Sequence, residues 1–145
     1  MDYPLETLLY GKQFRRLMEK KLEPFEVQYH LSKIDLQILF YLYTSGEKNT
    51  SKDIMGLKLF TRGHISQSLG RLQKMGYVEM EQDAVDRRCV HNYLTREADP
   101  IMLQLGAIFE EIQEIVMQGV TRSEREVLET VVRKINQNIS DVLEE

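Results

Sequence analysis

The sequence predicts a mainly α-helical fold that carries one small β-hairpin. Apolar residues recur at close to the helical period in residues 5–22 and again in residues 101–139. Between these stretches, residues 77–81 and 89–94 alternate between apolar and polar side chains, as paired strands do. Two short helical patterns precede the hairpin. Helix, helix and hairpin in this order predict a winged helix-turn-helix, with a wing formed by the hairpin.

Size and composition indicate one soluble domain. The chain has 145 residues, and 42% of them are hydrophobic, which is enough for one sizeable core. No apolar run approaches the roughly 18 residues of a membrane helix, and the acidic N-terminus is unlike a secretory signal. Cys89 is the only cysteine, which excludes an internal disulfide and fits a reducing compartment. We therefore expect a cytoplasmic protein that does not associate with a membrane.

The charge is distributed unevenly along the chain. The net charge is −4, but residues 49–96 contain five acidic and eight basic residues. Residues 1–48 are balanced, and residues 97–145 contain eleven acidic and four basic residues. A basic middle predicts a local contact with nucleic acid, because local potential governs phosphate binding more than net charge does. A chance variation in surface charge explains an excess of this size equally well.

Proline and capping residues set the limits of the first two helices. The helix of residues 5–22 is predicted to end at Pro24, which lacks an N–H group and crowds the preceding turn. Ser32 is placed to cap a second helix, with Asp35 three residues later as in a capping box. The pair Ser45-Gly46 is predicted to end that helix, because glycine adopts the left-handed conformation easily.

Two short helices follow and form the predicted helix-turn-helix. We expect Ser51 to cap a helix that extends through Leu57, and Thr61 to cap one that extends to about Met75. The second of these has an apolar face made of Ile65, Leu69, Leu72 and Met75. Its outward face carries Arg62, Ser66, Gln67, Gly70, Arg71 and Lys74. Such a helix is predicted to fit the major groove of DNA.

Two longer helices complete the chain. A long helix is predicted after Thr95, but Pro100 lies early in it, so either the helix starts near Asp99 or its first turn is irregular. Gly119 is predicted to end the apolar stripe of this helix. The sequence Thr121-Arg-Ser-Glu124 forms a capping box for a last helix.

The order and spacing of these elements resemble the MarR family of bacterial transcription regulators over nearly the whole chain. The most specific motif is Asp86-Arg87-Arg88, which is followed six residues later by Leu94-Thr95. The resemblance implies a single MarR-like domain over residues 1–145. Its DNA-binding lobe would span about 32–95, and its all-helical dimerisation region would comprise about 3–24 and 96–143.

The family resemblance also implies a function. It implies an obligate homodimer that binds double-stranded DNA at a pseudo-palindromic operator and acts as a ligand-responsive repressor, with a small-molecule effector. An activator stays an alternative to a repressor. A winged-helix module that binds protein, without sequence-specific DNA binding, is the alternative function. No cofactor is implied, and enzymatic activity is not expected, because the sequence has no glycine-rich phosphate loop, nucleophile motif or paired acids at a diagnostic spacing.

The candidate DNA contacts lie on the two short helices and the wing. The N-terminal residues of a recognition helix point at base edges, where arginine suits guanine and glutamine suits adenine. The start of the preceding helix suits phosphate. Arg87 is predicted to enter the minor groove, and Arg88 either binds phosphate or pairs with Asp86. The predicted contacts are Ser51, Lys52, Thr61, Arg62, His64, Ser66, Gln67, Arg71, Arg87 and Arg88.

Other candidate sites are less well defined by the sequence. The family's effector pocket lies between the dimer helices and the DNA lobe, and aromatic residues are expected to line it here, although aromatics at this spacing are also typical of a core. These residues are Phe14, Tyr29, Phe40, Tyr41 and Tyr43. The three histidines lack the spacing of a metal site. A lone cysteine on a strand, such as Cys89, is most often a small packed residue, and a thiol activated by the neighbouring arginines is the alternative.

The recognition helix departs from the family in three positions. Gly63-His64 stands where relatives often have Ser-Thr, and Ser68 stands where relatives commonly have leucine. Gly63 and Gly70 each cost the helix about 1 kcal/mol relative to alanine. We therefore expect a softer recognition helix, whose base preference differs from that of other members.

Overall fold

The computed structural model describes residues 11–143 of the chain. Over these residues it confirms a mainly helical fold with an antiparallel two-stranded wing. The helices are α1 (Lys12–Tyr29), α2 (Lys33–Thr44), α3 (Ser51–Met55), α4 (Arg62–Lys74), α5 (Asp99–Val116) and α6 (Arg122–Leu143). The strands are β1 (Val78–Gln82) and β2 (Val90–Leu94). One compact unit extends through Ile112, and a second begins at Gln113.

Helix α1 continues through Pro24, so the predicted end of this helix is wrong. It begins at Lys12 and ends at Tyr29, and the predicted residues 5–10 lie outside the described part of the chain. The burial of Phe25, which is 2% exposed, and the packing of its ring 4.9 Å from that of Tyr29 occur in the turn after the proline. We attribute the continuation of the helix to this packing, which offsets the backbone hydrogen bond that proline removes.

The caps of α2 and α3 show one prediction confirmed and one corrected. Ser32 and Asp35 form the predicted capping box at the start of α2. Helix α3 is capped by Thr50, not by Ser51, because the Thr50 hydroxyl accepts a hydrogen bond from the Asp53 N–H and the Asp53 carboxylate accepts one from the Thr50 N–H. Ser51 is the first residue inside that helix.

The recognition helix α4 begins and ends nearly as predicted. The Thr61 hydroxyl accepts a hydrogen bond from the His64 N–H at 3.2 Å, which confirms the predicted cap. The helix ends at Lys74, and Gly76 follows with a φ of 84°, a left-handed conformation that favours glycine. Its apolar face is buried in the core of the first unit through Ile65, Leu69 and Leu72.

The wing follows directly from α4. Strands β1 and β2 pair from Val78 opposite Leu94 to Gln82 opposite Val90, each within about one residue of its predicted limits. A further bridge joins His91 to Thr50 at the start of α3, so the wing is attached to the helix-turn-helix at its base. The Asn92 side chain strengthens this attachment by donating a hydrogen bond to the backbone oxygen of Asn49 at 2.8 Å.

The long helix after the wing starts at Asp99, which confirms one of the two predicted alternatives. Residues Arg96–Ala98 form a 3-10 helix, and α5 begins at Asp99 with Pro100 in its first turn. Proline is tolerated there because the first N–H groups of a helix have no intrahelical partner. Along α5, Ile101 and Leu105 are buried in the core of the first unit.

The second unit contains α6, which opens with the predicted capping box. The Thr121 hydroxyl accepts a hydrogen bond from the Glu124 N–H, and the Glu124 carboxylate accepts one from the Thr121 N–H. Gly119, with a φ of 78°, precedes this cap. None of the residues of α6 is buried, although the helix carries an apolar stripe.

Candidate nucleic-acid interface

The outward face of α4 presents the polar side chains that the sequence predicts. Thr61, Arg62, His64, Ser66 and Gln67 are all exposed. No hydrogen bond or ion pair is seen for the Arg62 side chain within residues 11–143. The buried apolar face holds the helix against the core while the first two turns remain open to a ligand. This is the arrangement that a helix needs to enter a major groove.

Arg71 differs from the other predicted contacts because its guanidinium is paired with a buried carboxylate. Its guanidinium donates to the Asp35 carboxylate at 2.7 Å, and Asp35 is 1% exposed. Ser68, which is fully buried, donates to the same carboxylate oxygen. Burial by itself raises the pKa of Asp35, but the hydrogen bonds from Ser68, the Ser32 N–H and Arg71 favour the carboxylate and hold that pKa below its usual value.

The sequence reasoning missed this buried cluster. It assigned Asp35 to the capping box, and it treated Ser68 only as a departure from the family. Ser68 and Arg71 are three residues apart, so they lie on neighbouring positions of one helix surface. A polar residue at Ser68, on the apolar side of a helix, was the signal that a buried polar partner lies opposite it.

Ser51 and Lys52 are exposed in the first turn of α3. In α3, the Asp53 carboxylate is occupied by Thr50, whose side-chain hydrogen bond is the main reason that the pKa of Asp53 lies below its usual value. The two predicted phosphate contacts therefore stand at an exposed helix start that is already capped.

The tip of the wing is held in a defined shape by aspartate side chains. Asp83 accepts hydrogen bonds from the backbone N–H groups of Val85 and Asp86, and Asp86 accepts one from the N–H of Arg88. The Arg87 and Arg88 side chains are exposed. Arg88 Nε lies 3.7 Å from Asp86 Oδ1 in an ion pair that is mostly open to solvent, so water weakens it.

The base of the wing contains a second cluster that the sequence reasoning missed. His91 Nε2 lies 2.8 Å from Asp83 Oδ2, and His91 Nδ1 lies 2.6 Å from Asn49 Oδ1. Asn49 is 2% exposed and immediately precedes the cap of α3. The hydrogen bond to His91 and those from the backbone of Asp86 and Val85 lower the pKa of Asp83 to about 2. His91 thus joins the wing loop to the helix-turn-helix.

The surroundings of Cys89 argue against the alternative of an activated thiol. Burial, followed by the nearby carboxylate of Asp86, raises the pKa of the Cys89 thiol above its usual value. The thiol Sγ lies 3.8 Å from Asp86 Oδ2. The neighbouring wing arginines, on which that alternative depends, are exposed to solvent. This environment favours a packed, unreactive cysteine.

A cavity of about 670 Å³ lies among α1, α2, α5 and the segment between α3 and α4. Phe40 and Tyr41 line it, as the sequence predicts for an effector pocket. Phe14, Tyr29 and Tyr43 are not among its lining residues, and Tyr29 instead donates a hydrogen bond to Gln104 at 2.8 Å. The apolar lining residues are Met18, Leu22, Leu36, Phe40, Leu57, Leu59, Phe60 and Phe109.

Two of the four charged residues that line this cavity are paired with each other. Lys33 donates to Glu19 at 2.8 Å, and both side chains line the cavity. Glu26 also lines it, and burial is the main reason that the pKa of Glu26 is raised. The cavity therefore suits a ligand with a substantial apolar surface.

Comparison with known proteins identifies a matching family model and solved structures with a similar fold. Residues 31–98 match the family model described as a winged helix DNA-binding domain. A crystal structure of MarR is similar, with a TM-score of 0.69 and 20% identity over 96% of this chain and 99% of that one. A MarR protein from Peptoclostridium difficile has a TM-score of 0.75 and 16% identity over 97% of this chain and 90% of that one.

A third similar structure contains DNA. The S. aureus MepR–DNA complex has a TM-score of 0.59 and 20% identity, over 94% of this chain and 99% of that one. Identities at this level establish a shared fold. Residues 31–98 thus match a winged helix DNA-binding domain, and the chain has the fold of the MarR structures, which confirms the resemblance in fold inferred from its sequence.

Two further observations concern other kinds of site. Among residues 11–143, no helix is both long enough and apolar enough to cross a membrane. Over the same range, no three histidine, cysteine, aspartate or glutamate side chains are grouped as ligands for a metal ion.

Proposed function

We propose that this protein is a transcriptional repressor that binds a pseudo-palindromic operator as a homodimer. The observation that carries the proposal is the outward face of α4. Its polar side chains are exposed at the N-terminal end of a helix whose opposite face is buried, and the wing next to it ends in two exposed arginines. Base edges and phosphates are the partners that this combination of hydroxyl, amide and guanidinium groups suits best. Such a role requires a location in the cytoplasm with the DNA.

The apolar stripe of α6 supports the homodimer. Val127, Val131 and Ile139 are 63%, 44% and 51% exposed, and they recur at helical spacing. A stripe of this length on one helix is costly in water, so we expect a second copy of the chain to cover it. Two copies related by a twofold axis would present two α4 helices to half-sites about one helical turn apart.

The cavity beside α2 supports control by a small molecule. Leu36 and Gln37 of α2 line this cavity, and Asp35 of the same helix contacts α4. A ligand that displaces α2 would therefore change the position of the recognition helix. In a dimer, such a displacement changes the spacing of the two recognition helices, so that they no longer fit successive major grooves. The affinity for the operator then falls.

The first experiment measures binding of the dimer to the DNA upstream of its own gene. Fluorescence anisotropy across a salt series gives the slope of log affinity against log salt, which reports the number of phosphate contacts. Arg87→Ala should weaken binding and reduce the magnitude of this slope by about one per subunit. Arg16→Ala removes an exposed arginine from α1 and serves as the control. An unchanged slope in the Arg87 variant would show that the wing assignment is wrong.

The same series separates the two candidate functions. Strong binding that weakens steeply with salt supports the DNA-binding regulator. Absent or salt-insensitive binding would instead favour a module that binds protein.

The second experiment tests the cavity. The chain contains no tryptophan, so Leu59→Trp places a single fluorescent reporter at the cavity, at a side chain that is 66% exposed. Apolar small molecules that enter the cavity should change the emission of this tryptophan. The same compounds should lower the affinity of the unmodified protein for the operator. Equal operator affinity with and without every compound that changes the emission would refute ligand control.

A further inference from the structure

We propose that Asp35 positions the recognition helix by holding Ser68 and Arg71, and that Arg71 is a positioning residue and not a DNA contact. This inference rests on the proposed binding of DNA through α4. It replaces the expectation from the sequence that Arg71 belongs to the DNA-contacting face.

The contacts of Asp35 span two helices and use both of its carboxylate oxygens. One oxygen accepts hydrogen bonds from the Ser68 hydroxyl and from Arg71 Nη2, which lies at 2.7 Å. The other accepts the Ser32 N–H at 2.9 Å. Arg71 Nη2 also lies 3.5 Å from Ser32 Oγ. The cap of α2 and the middle of α4 therefore share one hydrogen-bonded cluster.

Burial makes this cluster specific for one placement of α4. Asp35 and Ser68 are 1% and 0% exposed, so water does not replace a hydrogen bond that is lost. A buried carboxylate without its partners is costly, because it loses its hydration without compensation. Sliding or rotating α4 along α2 would separate Ser68 and Arg71 from Asp35 together. The cluster thus fixes the angle at which the outward residues of α4 meet a groove.

The charge of Arg71 leads to the same conclusion. The Arg71 side chain is 49% exposed, but its guanidinium is paired with a buried carboxylate on the protein side, whereas Arg62 on the same helix has no such partner within the described residues. Release of counterions on DNA binding depends on the positive charges that approach phosphate. Arg62 is expected to contribute to this release, and Arg71 is not.

Identical substitutions at the two arginines form the test. Arg71→Gln and Arg62→Gln are compared with the unmodified protein for the salt slope of binding to its upstream DNA. Affinity for an unrelated duplex gives the discrimination ratio, and urea unfolding reports whether each variant is folded. Arg62→Gln should reduce the magnitude of the salt slope by about one per subunit. Its failure to do so would count against the proposed DNA face of α4 and not against the role of Arg71.

Arg71→Gln should leave the salt slope within about half a unit of its original value and lower the discrimination ratio roughly tenfold. A slope reduced by about one per subunit would overturn the proposal, because Arg71 would then contact phosphate. An unchanged slope with unchanged discrimination would overturn it as well, since the cluster would then have no effect on recognition.

If Arg71→Gln does not fold, Asp35→Asn decides the question. This variant keeps the shape of the side chain and removes the charge that holds Arg71. The released guanidinium should approach phosphate and increase the magnitude of the salt slope by about one per subunit, with weaker discrimination. An unchanged slope in a folded Asp35→Asn protein would overturn the proposal.

Discussion

Replacing Gly63 with alanine should stabilise the free protein and weaken its binding to DNA. Gly63 is the second residue of α4 and is exposed, and apart from its own helix no atom lies within 4 Å of the place that a Cβ would take. The added methyl group therefore meets no obstacle in the free protein. Alanine favours the helix over glycine by about 0.5–1 kcal/mol. We expect a gain of that size in the free energy of unfolding, smaller than at mid-helix because Gly63 lies in the first turn.

The effect on DNA binding should have the opposite sign. Gly63 lies between Arg62 and His64, where a recognition helix comes nearest to base edges. A methyl group forced into a closely packed contact costs about 1–3 kcal/mol, which corresponds to roughly a five- to hundredfold higher Kd.

Urea unfolding and fluorescence anisotropy measure the two effects separately. Gly106→Ala is the matched control, because Gly106 is an exposed glycine inside α5 with the same open space around it. This control should gain stability and keep its DNA affinity. Unchanged or tighter DNA binding by a stabilised Gly63→Ala protein would refute the reasoning, since it would show that this surface of α4 does not face DNA.

Three further changes test the cap of α4, the base of the wing and the Asp83 carboxylate. Thr61→Ala should lower the free energy of unfolding by about 1 kcal/mol in urea, and an unchanged midpoint would contradict the cap. His91→Gln should weaken DNA binding while leaving the far-ultraviolet circular dichroism unchanged, because it detaches the wing loop; full affinity would count against this role. The pKa of Asp83 is lowered to about 2 in the folded state, so its contribution to stability is present above its usual pKa and is lost as the pH falls towards about 2. Asp83→Asn should therefore flatten the acid side of the stability profile, and an unchanged profile would contradict this assignment.

Local sequence signals were sufficient where one element determines its own boundary. The boxes at Ser32 and Thr121 and the cap at Thr61 were predicted because capping depends on residues three positions apart. The wing was predicted to within about one residue because alternation and turn residues are local as well. The cap of α3 was misplaced by one residue because Thr50 and Ser51 both carry a hydroxyl, and only the backbone decides between them.

Features that depend on tertiary packing could not be predicted. The local chemistry of Pro24 favours the end of a helix, but α1 continues to Tyr29 because Phe25 packs in the following turn. The partner of Arg71 is 36 residues away at Asp35, and His91 joins Asn49 42 residues away. From the sequence, Arg71 was predicted on the outward face of its helix, and His91 was considered only as a metal ligand. Only the folded structure shows that Arg71 is paired with a buried carboxylate and that His91 joins the wing to Asn49.

The central claim is that two copies of this chain read DNA through α4 and the wing. Sequencing the genomic fragments that the purified protein retains at physiological salt tests it most directly. The account predicts an enriched pseudo-palindrome whose half-sites are centred about 10 base pairs apart, one helical turn of DNA. Retention of no fragments, or of fragments without a repeated half-site, would contradict it.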